Sequence, residues 1–213
     1  MGNRLVGCAG PGPHEAHGHR FTRQGVDKIK RFVEAGGYLF TEDWEIDEVL
    51  SQAWPSLVGI GGGLAEDIPG PEAFPAPGNA SHPYLERVFG EPGRDGVNLE
   101  SYNVENVIDQ ARHNWKIDNE SPEIEVKDER RVTTLLIADF KNGHTQRPLA
   151  ITFAPAERRP SGSDYAAAEG GRVLHVLSHF GKQTDASDER SLQNLLVNFI
   201  RECMERRGSS MPR

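Results

Sequence analysis

Three side chains at the ends of two apolar segments could act in proton transfer. Glu42 and Asp43 directly follow the run Tyr38–Thr41, and His179 lies near the end of the run that begins at Arg172. A histidine at hydrogen-bond distance from a carboxylate can accept or deliver a proton, so Glu42, Asp43 and His179 are candidate catalytic residues. Structural roles are the alternative, since Asp43 can cap a following helix and His179 can bond to backbone at a sheet rim.

Neighbouring residues could contact a ligand. Thr41 and Trp44 flank the two carboxylates, and an indole ring can stack on a sugar or, alternatively, pack against the core. Cys8 lies in V-G-C-A-G, which is similar to a nucleophile elbow except that Val6 replaces the first glycine. Thr41, Trp44 and Cys8 are therefore candidate ligand-binding residues, and Cys8 could equally be a buried or loop cysteine.

A histidine-rich loop is a candidate metal site. The segment H-E-A-H-G-H contains His14, His17 and His19 among glycines and prolines. Imidazoles bind zinc and other borderline metals, and Glu15 or Glu42 could complete the set. A divalent metal such as zinc is thus the one cofactor that the sequence suggests. Exposed histidines that bind no metal are the alternative.

Hydrophobic periodicity predicts the elements that position these side chains. Apolar residues recur at helical spacing over 26–35, and the glycines at 36–37 can end that helix. Tyr38–Thr41 is an apolar, β-favouring run, typical of a strand buried on both faces, and the run from Arg172 to His179 has the same character. If these two strands are parallel neighbours, their carboxyl ends open onto one crevice, where open α/β sheets bind ligands.

The rest of the chain suits one domain over residues 1–207, with a loose tail at 208–213. Residues 59–79 are rich in glycine and proline and lack periodicity, which predicts an irregular excursion. Residues 113–140 contain alternating segments, which predict a β-rich insertion.

Composition excludes several classes of function. The formal net charge of −8 argues against nucleic acid or an anionic membrane surface as the main partner. No apolar run approaches the roughly 20 residues that a membrane span needs. Two cysteines do not form a disulfide framework, which favours a reducing compartment and a cytoplasmic protein.

Three segments resemble one known superfamily: LVGCAGPG, FVEAGGYLFTEDW and GGRVLHVLSHFGKQ. In that order they are similar to the class I glutamine amidotransferase-like superfamily, in particular its non-amidotransferase branch with the trehalose-utilisation (ThuA-like) proteins. The resemblance implies an α/β fold, a flavodoxin-like three-layer sandwich with a mostly parallel sheet, to which the middle region adds antiparallel strands.

The same resemblance argues against glutamine hydrolysis. Amidotransferases carry a cysteine elbow at the position of Phe40–Trp44, where this chain has no cysteine. They also carry a glutamate two residues after the histidine at the position of His179, where this chain has Gly181. The Cys-His-Glu triad is therefore absent from the matching positions.

Two hypotheses of different class follow from these residues. The first is a domain that binds a small ligand or a protein partner at the strand ends, and an unpaired edge of its sheet could join it to a second chain in an oligomer. The second is a hydrolase or sugar-processing enzyme that uses Glu42 or Asp43 with His179, assisted by a metal. The second hypothesis requires that those side chains lie within hydrogen-bond reach of one another in an open cleft.

Overall fold

The computed structural model describes residues 21–64, 70–89, 113–118, 121–140, 146–155 and 170–209. The predictions for Cys8 and for His14, His17 and His19 lie outside these residues. The helical elements are α1 (Arg23–Glu34), a π-helical turn (Ile46–Leu50) that continues as α2 (Ser51–Ala53), a 3-10 turn (Pro83–Leu85) and α3 (Ala186–Ser209). The strands are β1 (Tyr38–Glu42), β2 (Val58–Leu64), β3 (Glu72–Pro75), β4 (His113–Asn114), β5 (Ser121–Val126), β6 (Val132–Ala138), β7 (Arg147–Phe153) and β8 (Arg172–Val176).

The predicted helix and strand at 26–41 are confirmed. The hydroxyl of Thr22 accepts a hydrogen bond from Gly25 N and caps α1, whose apolar face buries Val26 and Val33. Gly36 follows with φ of 99°, a conformation that costs glycine little and that lets the chain turn directly into β1.

The flavodoxin-like, mostly parallel sandwich is wrong. The larger described sheet has the order β1-β8-β7-β6-β3-β4, and of its pairs β1 with β8 alone is parallel. A second, antiparallel sheet contains β2 and β5. The result is a strand-rich mixed sheet with few helices.

The parallel sheet was predicted wrongly because an apolar run indicates that a strand is buried and does not indicate the direction of its neighbours. β7 is buried along its last five residues, and it lies between β6 and β8. Burial on both faces makes a strand apolar whichever way its neighbours run, so the pattern gave no information on direction. β6 and β7 are joined by only 139–146, too short for the helical crossover that a parallel pair needs.

Residues 59–79 and 113–140 contribute strands to both sheets. Within the predicted irregular excursion at 59–79, Val58–Leu64 and Glu72–Pro75 are strands, so that prediction is wrong for them. In the region 113–140 three strands form as predicted, and β4 and β6 join the larger sheet in antiparallel pairs. Backbone pairing stabilises glycine-rich β2 where side-chain patterns gave no signal.

The core packs α3 against the larger sheet. Phe199 of α3 is fully buried and contacts the rings of Tyr38 and Tyr84, with centroids 5.3 and 5.6 Å away. Trp115 is also fully buried, and its Nε1 donates to Ser191 Oγ of α3 at 3.2 Å. α3 extends to Ser209, so the prediction of a loose tail is wrong for 208–209. None of the described helices has the length and apolar character that crossing a membrane requires.

Candidate functional site

The carboxyl ends of β1 and β8 lie side by side, as predicted. The parallel register pairs Glu42 with Val176, and the backbone N–H of Asp43 donates to Val176 O at 2.9 Å. Asp43 therefore begins the turn immediately beyond the strand. The segment after β8 returns His179 to the same place, so both candidate acids and the candidate histidine meet at one edge of the sheet.

The imidazole of His179 lies between carboxylates. Its Nδ1 is 3.0 Å from Glu42 Oε2, and its Nε2 is 3.2 Å from Asp43 Oδ2. Nε2 also lies 3.4 Å from Asp118 Oδ2. Only 12% of the His179 side chain is exposed, and only 4% of the Asp43 side chain. Both structural alternatives are thus wrong, because the Asp43 carboxylate contacts His179 and the next helical turn has no side-chain cap.

These contacts set the charge of His179. Burial alone lowers its pKa, but the hydrogen bonds to Asp43 and then Glu42 raise it more, to about 9. Both ring nitrogens are therefore protonated at neutral pH, and each donates to a carboxylate. Of the two halves of the predicted proton transfer, a protonated His179 can deliver a proton but does not act as a base, and its catalytic role stays a prediction.

Asp118 is a member of the site that the sequence analysis missed. Lys182 Nζ donates to Asp118 Oδ2 at 2.8 Å. Burial raises the pKa of Asp118, but the opposite effect of Lys182 and His179 is larger. The pKa of Asp118 therefore lies below its ordinary value. Gln183 holds this segment in place: its Oε1 accepts from Lys116 N at 2.8 Å while its Nε2 donates to His179 O at 2.8 Å.

Asp43 is strained and incompletely bonded. Its φ is 43°, in the left-handed region that non-glycine residues seldom adopt. Its Oδ1 is buried and has no hydrogen-bond partner among the described residues. Strain and an unpaired buried acceptor each cost free energy, and such features concentrate at functional sites.

The backbone strain at Asp43 gives a testable ranking of variants. Asp43→Ala and Asp43→Gly both remove the carboxylate, but only glycine adopts a φ of 43° without a Cβ penalty. We expect Asp43→Gly to be more stable than Asp43→Ala by about 1 kcal/mol in denaturant unfolding. The opposite order, which is usual where φ is negative, would contradict the left-handed backbone.

Thr41 and Trp44 occupy different environments. Thr41 is buried, and its hydroxyl lies 3.0 Å from Nδ1 of the fully buried His175. Burial lowers the pKa of His175 to about 3, so this ring is neutral. Thr41 therefore supports the strand pair beneath the site. Trp44 is partly buried and its backbone carbonyl accepts from the π-helical turn.

Glu45 is a second residue that sequence reasoning did not single out for chemistry. Burial raises its pKa to about 7, and the negative charges of Asp43 and Glu42 raise it as well. Glu45 is therefore the carboxyl group beside the site whose protonation changes near neutral pH.

A cavity of about 460 Å³ lies at the opposite end of β8, beside Arg172. Its lining includes Glu202, which accepts hydrogen bonds from the hydroxyls of Tyr38 and Tyr84 and pairs with Arg206 at 2.8 Å. That carboxylate is fully bonded, whereas Asp43 is not. Arg172 Nε beside this cavity is also buried without a hydrogen-bond partner among the described residues, so the carboxyl-end cluster is distinguished by its histidine held between carboxylates and not by free bonding capacity.

Comparisons with known proteins give no family. The chain matches no family model, and no curated protein matches it significantly. Among solved structures it is similar to a β-galactosidase from Rahnella sp. R3, with 13% identity and a TM-score of 0.47. The match covers 85% of this chain and 21% of that protein, so this chain spans about a fifth of its length. A likeness at this level supports no conclusion about activity.

Proposed function

We propose that this chain is a ligand-binding domain without amidotransferase activity, and that it binds a small polar ligand at the carboxyl ends of β1 and β8. One observation carries the proposal. His179 is held by Glu42 and Asp43 at the strand ends, next to a buried Asp43 Oδ1 that lacks a partner among the described residues. A ligand that donates to this oxygen would complete a site that the described residues leave unsatisfied.

The residues favour binding over nucleophilic catalysis. Residues 40–44 contain no thiol or serine hydroxyl, and the Thr41 hydroxyl is engaged with His175. His179 is a protonated and doubly bonded group, so it stabilises negative charge instead of removing a proton. The relationship to the amidotransferase-like superfamily stays a proposal, as do the cytoplasmic location and association with a protein partner or a second copy.

The chemistry of the cluster defines the ligand class. Glu42, Asp43 and Asp118 present acceptor oxygens, and the cations in contact with them are His179 and Lys182. A ligand with hydroxyl or ammonium donors, or a cation, fits this surface, and Trp44 lies beside it.

A binding experiment in EDTA tests this proposal. D-glucose, glucosamine and spermidine represent a neutral polyol, a cationic sugar and a linear polyamine. We expect at least one to raise the midpoint of thermal unfolding, and the shift to disappear in Asp43→Asn and persist in Glu86→Gln, whose carboxylate lies at the far end of the fold. A shift that survives Asp43→Asn, or none with any of the three probes, would contradict binding of donor-rich molecules here.

Glu45 favours one alternative, a hydrolase. A carboxyl group with a pKa of about 7 can act as an acid or a base at neutral pH, and the base role is one that protonated His179 does not offer. The enzyme would then use Glu45, with Glu42 and Asp43 binding the substrate. Hydrolysis of p-nitrophenyl glycosides or esters that is lost in Glu45→Gln would support it, whereas activity unchanged by that substitution would exclude it.

A further inference from the structure

The geometry points to a specific ligand for this site: we propose that His179 Nε2, Asp43 and Asp118 bind one divalent first-row transition-metal ion such as Zn²⁺. This inference rests on the proposed function, because it names the ligand of the same site. Asp43, Asp118 and His179 each offer one ligand atom, and these atoms all lie within 4.8 Å of one another.

The separations between these atoms suit a metal. Bonds of about 2.0–2.1 Å at tetrahedral angles place neighbouring ligand atoms about 3.3–3.4 Å apart. His179 Nε2 lies 3.2 Å from Asp43 Oδ2 and 3.4 Å from Asp118 Oδ2. Both distances match an edge of such a tetrahedron, and the Asp43 and Asp118 ligand atoms lie within 4.8 Å of each other, so an ion would displace the Nε2 proton and draw the two carboxylates together.

Glu42 occupies the position of a supporting residue. Histidine ligands usually donate the ring N–H that is not on the metal to a carboxylate, which orients the ring. Glu42 Oε2 lies 3.0 Å from His179 Nδ1 and plays that part, leaving Nε2 directed at Asp43 and Asp118. A His–carboxylate ion pair alone needs one carboxylate, whereas here both ring nitrogens face carboxylates.

Asp43 supplies the independent indication of a ligand. Its side chain is 96% buried, since 4% is exposed, and its Oδ1 has no hydrogen-bond partner within the described ranges. A bound cation would satisfy this carboxylate. One imidazole with two carboxylates is a borderline-hard set that suits Zn²⁺, Mn²⁺ or Co²⁺, and it has too few oxygens for Ca²⁺.

Titration of Co²⁺ into the full, EDTA-treated chain tests the site directly. We expect one equivalent to produce visible absorption bands that Zn²⁺ abolishes by competition and Ca²⁺ does not. Asp118→Asn removes a ligand at a position 36% exposed, so the fold should persist, and we expect at least about 100-fold weaker binding. Glu42→Gln, which alters only the support of His179, should weaken binding about 10–100-fold.

Two further variants make the result decisive. Lys182→Met removes the cation that competes for Asp118 Oδ2, so binding should be retained or tightened. Combined replacement of His14, His17 and His19 by alanine should leave the bands unchanged. Absence of Co²⁺ binding, or binding lost in the triple variant and retained in Asp118→Asn, would overturn the proposal. If Co²⁺ does not bind while glucosamine stabilises the wild type and not Asp43→Asn, the metal is refuted and the proposed function stands.

Discussion

Replacing His179 with glutamine is expected to cost about 2 kcal/mol of unfolding free energy at pH 6.5. The substitution leaves Glu42, Asp43 and Asp118 facing one another without the imidazolium between them. A pKa raised from 6.5 to about 9 corresponds to about 3 kcal/mol, which contact with water at the partly open site reduces. Lys182→Met, which removes an exposed cation from the same cluster, should cost less than about 1 kcal/mol.

The pH dependence identifies the cause of that loss. Because the folded pKa lies above the unfolded value of 6.5, the contribution of His179 is complete below pH 6.5 and disappears as the pH rises through about 9. Wild-type stability should therefore fall across this interval, and the fall should be much smaller in His179→Gln, where the raised pKa of Glu45 contributes only near pH 7. Urea unfolding at half-unit pH steps measures both curves. An equal alkaline slope in the two proteins would show that His179 is not charged by its neighbours.

Below pH 6.5, His175 makes the stability fall as the pH decreases. Its folded pKa of about 3 lies below the unfolded value, so only the unfolded chain takes up this proton as the pH falls below 6.5. Stability is thus lost on acidification in the wild type and equally in His179→Gln. Glu45 acts in the opposite direction, because its folded pKa of about 7 lies above the ordinary value of 4.5, and it offsets part of the loss from His175 between pH 4.5 and 6.5.

Gly171→Ala is expected to cost about 3 kcal/mol, at the upper end for an overpacked site. A Cβ at Gly171 would lie 1.8 Å from Gly37 O and 2.4 Å from Val33 O. Both contacts are with backbone, and Gly171 N also donates to Val33 O at 2.9 Å. The start of β8 must therefore separate from the end of α1 and the start of β1.

Gly62→Ala is the matched control for this substitution. A Cβ at Gly62, in exposed β2, meets nothing within 4 Å among the described atoms, so stability should change by less than about 0.5 kcal/mol. Equilibrium unfolding in urea compares both variants with the wild type. Equal stability of Gly171→Ala and Gly62→Ala would contradict the close approach that fixes β1 against β8.

Local patterns predicted local structure well. The helix over 26–35, the glycine stop and the strand Tyr38–Thr41 depend on interactions within a few residues, and the structure confirms all three. The parallel pairing of β1 with β8 is also confirmed, and with it the convergence of Glu42, Asp43 and His179. The catalytic and binding roles assigned to these residues stay predictions.

Features that depend on distant parts of the chain were not accessible from the sequence. Asp118 reaches the site because Gln183 bonds the backbone of Lys116, a contact between segments 67 residues apart. The direction of β7 depends on its pairing with β6 and β8, which an apolar run does not encode. The positive φ of Asp43 depends on the turn that joins β1 to the π-helical segment, and its residue type alone does not indicate it.

The titration of the His179 ring by NMR tests most directly whether the cluster at the strand ends exists as one electrostatic unit. The full chain is labelled at histidine, freed of metal with EDTA and assigned by comparison with His179→Gln. We expect the His179 signals to titrate near pH 9. A midpoint at or below the ordinary value of 6.5 would mean that the carboxylates of Glu42 and Asp43 do not hold the ring, and the site as described here would be refuted.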